Sequence, residues 1–166
     1  MRTEPPPAGR TPTTVTEAER IQRRAADAFV AAGERWTPLR SKLFRLIMQF
    51  DRPMSAYDLG KALSVTEDRQ IAITTIYRIL TLFVTKGIVR RIESLNAYIV
   101  SANISRREGL VFLICNQCGK VSEIEHHELY REALDAIRRV NFLPARLVAE
   151  VRGLCESCQV GRVPLH

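Results

Sequence analysis

A chain of 166 residues can bury one substantial core or two small ones. No apolar run is long enough to span a bilayer, and the opening MRTEPPPAGRTPTT has proline and threonine where a signal peptide would be apolar. These features predict a soluble, cytoplasmic protein with no membrane partner, in a compartment where paired cysteines are more often metal ligands or redox centres than disulfides. The net charge of +7 is uneven: residues 1–104 carry 16 Lys or Arg against 10 Asp or Glu, and residues 105–166 carry 9 against 8. A basic half joined to a near-neutral half suits a polyanion-binding module attached to something else.

Residues 1–15 hold several prolines and few large apolar side chains, so they read as a disordered tail. Order is expected from Thr16, which forms a T-x-x-E capping box with Glu19. Ile21, Ala25, Ala28, Phe29 and Ala32 then recur at helical spacing up to a Gly33 cap. In WTPLRSKLFRLIMQF, Thr37 caps a second helix with Pro38 in its first turn, and Leu39, Leu43, Leu46, Ile47 and Phe50 make its apolar face. SAYDLGKAL is a third, short helix opened by Ser55, with Asp58 three positions on.

The fourth helix, TTIYRILTLFVTKG, turns Ile76, Ile79, Leu80 and Phe83 one way and ends at Gly87. Thr74, Tyr77, Arg78, Thr81 and Thr85 fall on or near the other side, with Thr75 at the start of the helix. IVRRIE and AYIV follow as strands of a hairpin around Ser94, Leu95 and Asn96. Helices followed by a hairpin make a winged helix-turn-helix domain, here residues 16–102, whose last helix enters the major groove of double-stranded DNA. An amphipathic core helix with a solvated polar face would show the same periodicity. The acid-free face of Thr, Tyr and Arg favours phosphates and base edges.

Residues 105–166 form a small α/β unit in the order β-β-α-β, so the fold class is α+β. LVFLIC and GKVSEIE bracket the first cysteine pair, HELYREALDAIRRV is helical, and ARLVAEVRGLC leads to the second pair. Such a unit needs a staple or a second chain. Cys115, Cys118, Cys155 and Cys158 make C-x₂-C…C-x₂-C, which fills a tetrahedral Zn²⁺ shell and leaves no place for water or substrate. The expectation is one structural Zn²⁺ per protomer, with a pair of redox motifs as the alternative. No Ser/His/Asp grouping or phosphate loop points to an enzyme. A thiol redox protein, a zinc hydrolase and a zinc-ribbon subunit remain the rival classes.

WTPLR, SAYDL, TTIYRIL, KGIVRRIESLNAYIV, ICNQCG and GLCESC together resemble the ferric uptake regulator family of bacterial metal-responsive repressors, most of all its zinc uptake regulator branch. The resemblance runs from about Arg35 to Gln159. It implies a C-terminal dimerisation domain, here 105–166, and homodimers that bind AT-rich inverted repeats in promoter operators when a second, regulatory metal is bound. By motif, Tyr57, Tyr77 and Arg78 would contact DNA, and Thr74, Thr75 and Thr81 join them on the same helix.

The family's regulatory ligands are largely replaced. SRREGLVFLIC lacks the expected histidine, Ser101 stands for a cysteine, and Arg90 stands for a histidine in the wing. Glu123 keeps its place, Glu108 could substitute weakly, and His126 and His127 offer a relocated site or two solvated imidazoles at a helix start. Two versions of the function follow. In one, a second Zn²⁺ regulates through a rearranged site. In the other, Arg90, Arg106 or Arg107 pairs with Glu123 or Glu93 and holds the closed form without metal.

Overall fold

The computed structural model describes residues 15–101, 104 and 109–159. Helix α1 runs Val15–Ala31, α2 Pro38–Met48, α3 Ala56–Thr66 and α4 Ile73–Thr85. Strand β1 (Met54–Ser55) precedes α3, and β2 (Val89–Ile92) and β3 (Ala97–Val100) follow α4. The second half comprises β4 (Leu110–Cys115), β5 (Val121–Glu125), α5 (His127–Arg139) and β6 (Ala149–Gly153). Helix α1 starts one residue inside the expected tail, which places Thr16 in the first turn instead of before it. The rest of that tail, with Glu108, Arg106, Arg107 and His166, lies outside the described residues.

Local signals account for the helix ends. The Thr37 hydroxyl accepts from Arg40 N–H at 3.4 Å, and the Ser55 hydroxyl accepts from Asp58 N–H at 3.1 Å while donating to its carboxylate at 2.7 Å. Gly33 and Gly87 take φ of +78° and +75°, the left-handed conformation that stops α1 and α4.

The helical half is built on four aromatic rings. Phe29 of α1, Trp36, Phe44 of α2 and Phe83 of α4 meet with centroids 5.4–6.0 Å apart, mostly edge to face. Ile76, Ile79, Leu80 and Phe83 of α4 are all buried, as their spacing predicts. Phe44, absent from the apolar face expected of α2, is fully buried between Leu43 and Ile47. The apolar stripe of α2 is therefore wider than an i, i+4 reading suggests.

The hairpin β2–β3 joins β1 in a sheet ordered β1-β3-β2, with Val89 opposite Val100 and Arg91 opposite Tyr98. The strand period of two puts Val89, Tyr98 and Val100 against the helical core. Arg90, Ile92, Ala97 and Ile99 face the other way. There Ile92 and Ile99 pack on Leu110, Phe112, Ile114 and Val121 of the second sheet, ordered β5-β4-β6. Strand β4 is antiparallel to β5 and parallel to β6.

Because Phe83 contacts all three of the other rings from inside α4, Phe83→Ala should cost about 3–5 kcal/mol of stability in chemical denaturation. The zinc content of the folded fraction should not change.

Candidate metal centre and nucleic-acid interface

Parallel pairing of β4 with β6 sets Cys115 beside Gly153, so both C-x₂-C segments leave the sheet at the same end. After β4, Gly119 N–H returns to Cys115 C=O at 3.0 Å with Gly119 at φ +72°, closing a tight turn around the first pair. Beyond β6, a single 3₁₀ turn over Glu156–Cys158 folds the second pair back, and Cys158 N–H donates to Cys155 C=O at 2.8 Å.

The four sulfurs all lie within 4.8 Å of one another, and those of Cys118 and Cys155 are 3.7 Å apart. A tetrahedral ion with Zn–S bonds of about 2.3 Å needs sulfurs about 3.8 Å apart, so the donor set and its spacing fit Zn²⁺. The pairs converge on one site, where two redox motifs would stand apart, and all four thiols are unpaired as disulfides.

Their electrostatics also call for a cation. Backbone N–H groups of Cys118 and Cys155, then Gln117, pull the Cys115 thiol down to about 6 against the effect of burial. Cys158 is pushed up to about 12, first by the Cys155 sulfur, then by burial and by Cys118 and Cys115. Four thiolates this close repel one another unless a divalent charge sits among them.

The remaining candidate ligands are dispersed. Among the described residues, the four cysteines are the one group of three or more His, Cys, Asp or Glu side chains placed to hold an ion. His126 is spent on structure: its Nδ1 accepts Leu129 N–H at 3.1 Å as the cap of α5. His127 lies beside Glu125, with Nε2 3.8 Å from the carboxylate, and packs against Gly109. Glu123 points elsewhere, to Ser101, whose hydroxyl donates to it at 3.4 Å.

On the helical half, Thr74, Tyr77, Arg78 and Thr81 are exposed along α4, and Thr75 is half-buried at its start. Helix α4 contains no acidic residue. Tyr57 is 59% exposed on α3, and its ring carries the Lys61 ammonium at 4.6 Å from the centroid. Lys61 was not among the sequence candidates, although its i+4 spacing from Tyr57 on a helix announces the contact. The exposed surface thus offers hydroxyls, a phenol, a guanidinium and an ammonium, the groups that bind phosphates and base edges.

Cys118→Ser should remove the bound zinc and unfold the C-terminal half. Native mass spectrometry and circular dichroism would show an apo chain with the helical half retained.

The ferric uptake regulator family model matches residues 31–148. The zinc uptake regulation protein of Escherichia coli (strain K12) is 32% identical over 126 residues, which are 75% of this chain and 72% of that protein. The peroxide-responsive repressor PerR of Staphylococcus aureus (strain USA300) is 26% identical over 86% of this chain and 97% of its own. Among solved structures, a zinc uptake regulator complexed with zinc and DNA superposes with a TM-score of 0.79 at 27% identity, covering 85% of this chain and 94% of that one. Holo XcZur superposes at 0.78 with 28% identity, covering 87% and 99%. The chain belongs to the ferric uptake regulator family, whose members are transcription regulators and not enzymes.

Proposed function

We propose that the protein is a homodimeric, cytoplasmic transcription repressor that reads AT-rich inverted repeats in promoter DNA. Residues 16–102 form the DNA-reading unit and residues 105–166 the dimerising unit, with one structural Zn²⁺ in each protomer. The observation that carries this reading is the acid-free row Thr74, Tyr77, Arg78 and Thr81, open to solvent along α4. It lies on the helix that a winged helix-turn-helix places in the major groove. The likeness to a zinc uptake regulator with bound DNA supports it.

Dimerisation is supported by the sheet face turned away from the winged helix. Leu113, Ile124 and Val151 lie on that face and are 36%, 42% and 53% exposed, while Leu129 of α5 is 43% exposed. Leu113 and Val151 are register partners across the β4–β6 ladder, so their exposed side chains form one apolar surface. A second copy would cover it, and two-fold pairing would set two α4 helices on the halves of a palindrome.

Response to zinc is the signal suggested by likeness to the zinc uptake regulation protein, with Glu123, Glu108, His126 and His127 as its candidate ligands. A second reading, in which the structural ion is the only zinc, is favoured by Arg90 and Ser101 beside Glu123.

Selection of bound sequences from a random duplex library, followed by anisotropy titration, tests the proposal. It should return an AT-rich inverted repeat bound with a steep salt dependence. Arg78→Ala should weaken that complex by about 1–3 kcal/mol; unchanged affinity would remove α4 from the groove. Leu113→Glu combined with Val151→Glu should sediment as a zinc-bearing monomer that no longer recognises the repeat.

A further inference from the structure

We propose that a polar clamp supplied by this chain itself holds the wing against the C-terminal sheet, giving the DNA-binding arrangement without a second metal ion. The inference rests on the DNA-binding reading above.

The family resemblance assigns regulatory ligands to the positions of Arg90, Ser101 and Glu123, and the structure does bring these three together. Arg90 Nε donates to the Ser101 hydroxyl at 3.2 Å, and that hydroxyl donates onward to Glu123 at 3.4 Å. The donor set does not fit a divalent ion. A guanidinium is always charged and has only N–H donors, a neutral hydroxyl is a poor ligand, and one carboxylate is left. A fixed cation next to Ser101 would oppose the entry of a second one.

The rest of the clamp lies across the same contact. Glu123 and Glu150 are both register neighbours of Phe112, on β5 and β6 respectively, so the two carboxylates stand on one face of the sheet. That face packs Leu110, Phe112 and Ile114 against Ile92 and Ile99 of the wing. On one side of Phe112, Glu123 meets Ser101. On the other, Glu150 accepts two successive N–H groups of the wing turn, Glu93 at 2.6 Å and Ser94 at 3.0 Å. The Glu93 side chain is held in turn by Arg146 of the C-terminal half at 2.8 Å and by Arg91 of the wing at 3.2 Å.

The wing is thus tied on one edge of the apolar contact by two N–H donations to Glu150, charge-assisted bonds about twice as strong as neutral ones. On the other edge it is tied by the longer Ser101–Glu123 contact. Burial alone would raise the Glu150 carboxyl. Donations from Ser94 and Glu93, with Arg152 nearby, outweigh it and hold the group below the ordinary carboxylate range. Its contribution is therefore present above the ordinary glutamate value and lost only as pH falls through the lower, folded one, so the clamp is intact at neutral pH.

The test is anisotropy titration of the full chain against its selected duplex, with zinc held at one ion per protomer as checked by native mass spectrometry. Affinity should stay within about twofold when a further equivalent of Zn²⁺ is added, a change well below the 5–150-fold typical of allosteric coupling. Glu150→Ala should weaken binding about tenfold or more, at unchanged zinc content and dimer mass, while Glu150→Gln, which keeps one acceptor, should fall between. Arg146→Gln, at an exposed side chain, should also weaken binding and serves if Glu150→Ala does not fold.

Wild-type affinity that rises about tenfold or more with the second equivalent of Zn²⁺ would overturn the clamp and leave the DNA-binding reading standing. Parental affinity in both Glu150→Ala and Arg146→Gln would do the same. Failure to bind any duplex at any zinc level would defeat the DNA-binding reading, and the clamp with it.

Discussion

The hairpin β2–β3 is a wall with two finished sides, and both halves of the molecule are built against it. One side lends Val89 and Tyr98 to the helical core; the other lends Ile92 and Ile99 to the cluster on the second sheet. Because side chains alternate along a strand, a slip of one residue would exchange the two sets and empty both cores at once. The register that buries α4 is therefore the register that aims Arg90 at the C-terminal half. Helix α4 and the second sheet are coupled through four-residue strands, with little room for independent adjustment.

Against this wall, the polar contacts have a defined task. Apolar packing of Ile92 and Ile99 brings the halves together without strong orientation, since burial of apolar area is non-directional. Hydrogen bonds to carboxylates are directional and sit on either side of the apolar contact, which suits them to fixing an angle. In regulators that use a second ion, coordination geometry would supply that direction. Here guanidinium, hydroxyl and carboxylate stand together at that contact.

Much of this was legible in the sequence where the signal is local. The buried face of α4, the caps at Thr37 and Ser55, the left-handed Gly33 and Gly87, and the four-cysteine site all follow from spacings of a few residues. What escaped depends on distant pairing. Strand β1 is two residues long and has no pattern to recognise, yet it completes the first sheet on β3. Glu150 and Arg146 look like ordinary surface charges; their roles emerge only when chain positions 57 and 53 residues away are folded beside them. Of the cations expected to pair with Glu123 or Glu93, Arg90 does reach the Ser101–Glu123 pair, while among the described residues Glu93 is held by Arg91 and Arg146. His126 and His127 are open to two readings in the sequence, a relocated ligand pair or two imidazoles at a helix start, and only the fold shows that one ring caps the helix.

The parallel pairing of β4 with β6 has a consequence for how the chain acquires its metal. The first thiol pair can form as soon as its turn closes, but the second reaches the same end of the sheet only after α5 has crossed over and β6 has docked. Crossovers of this kind are costly in chain entropy and slow. A two-thiolate site is a weak, exchangeable holder of zinc; four thiolates form a tight one. Full coordination is therefore available only once the crossover is complete, so that tight retention of an ion would report a correctly threaded chain.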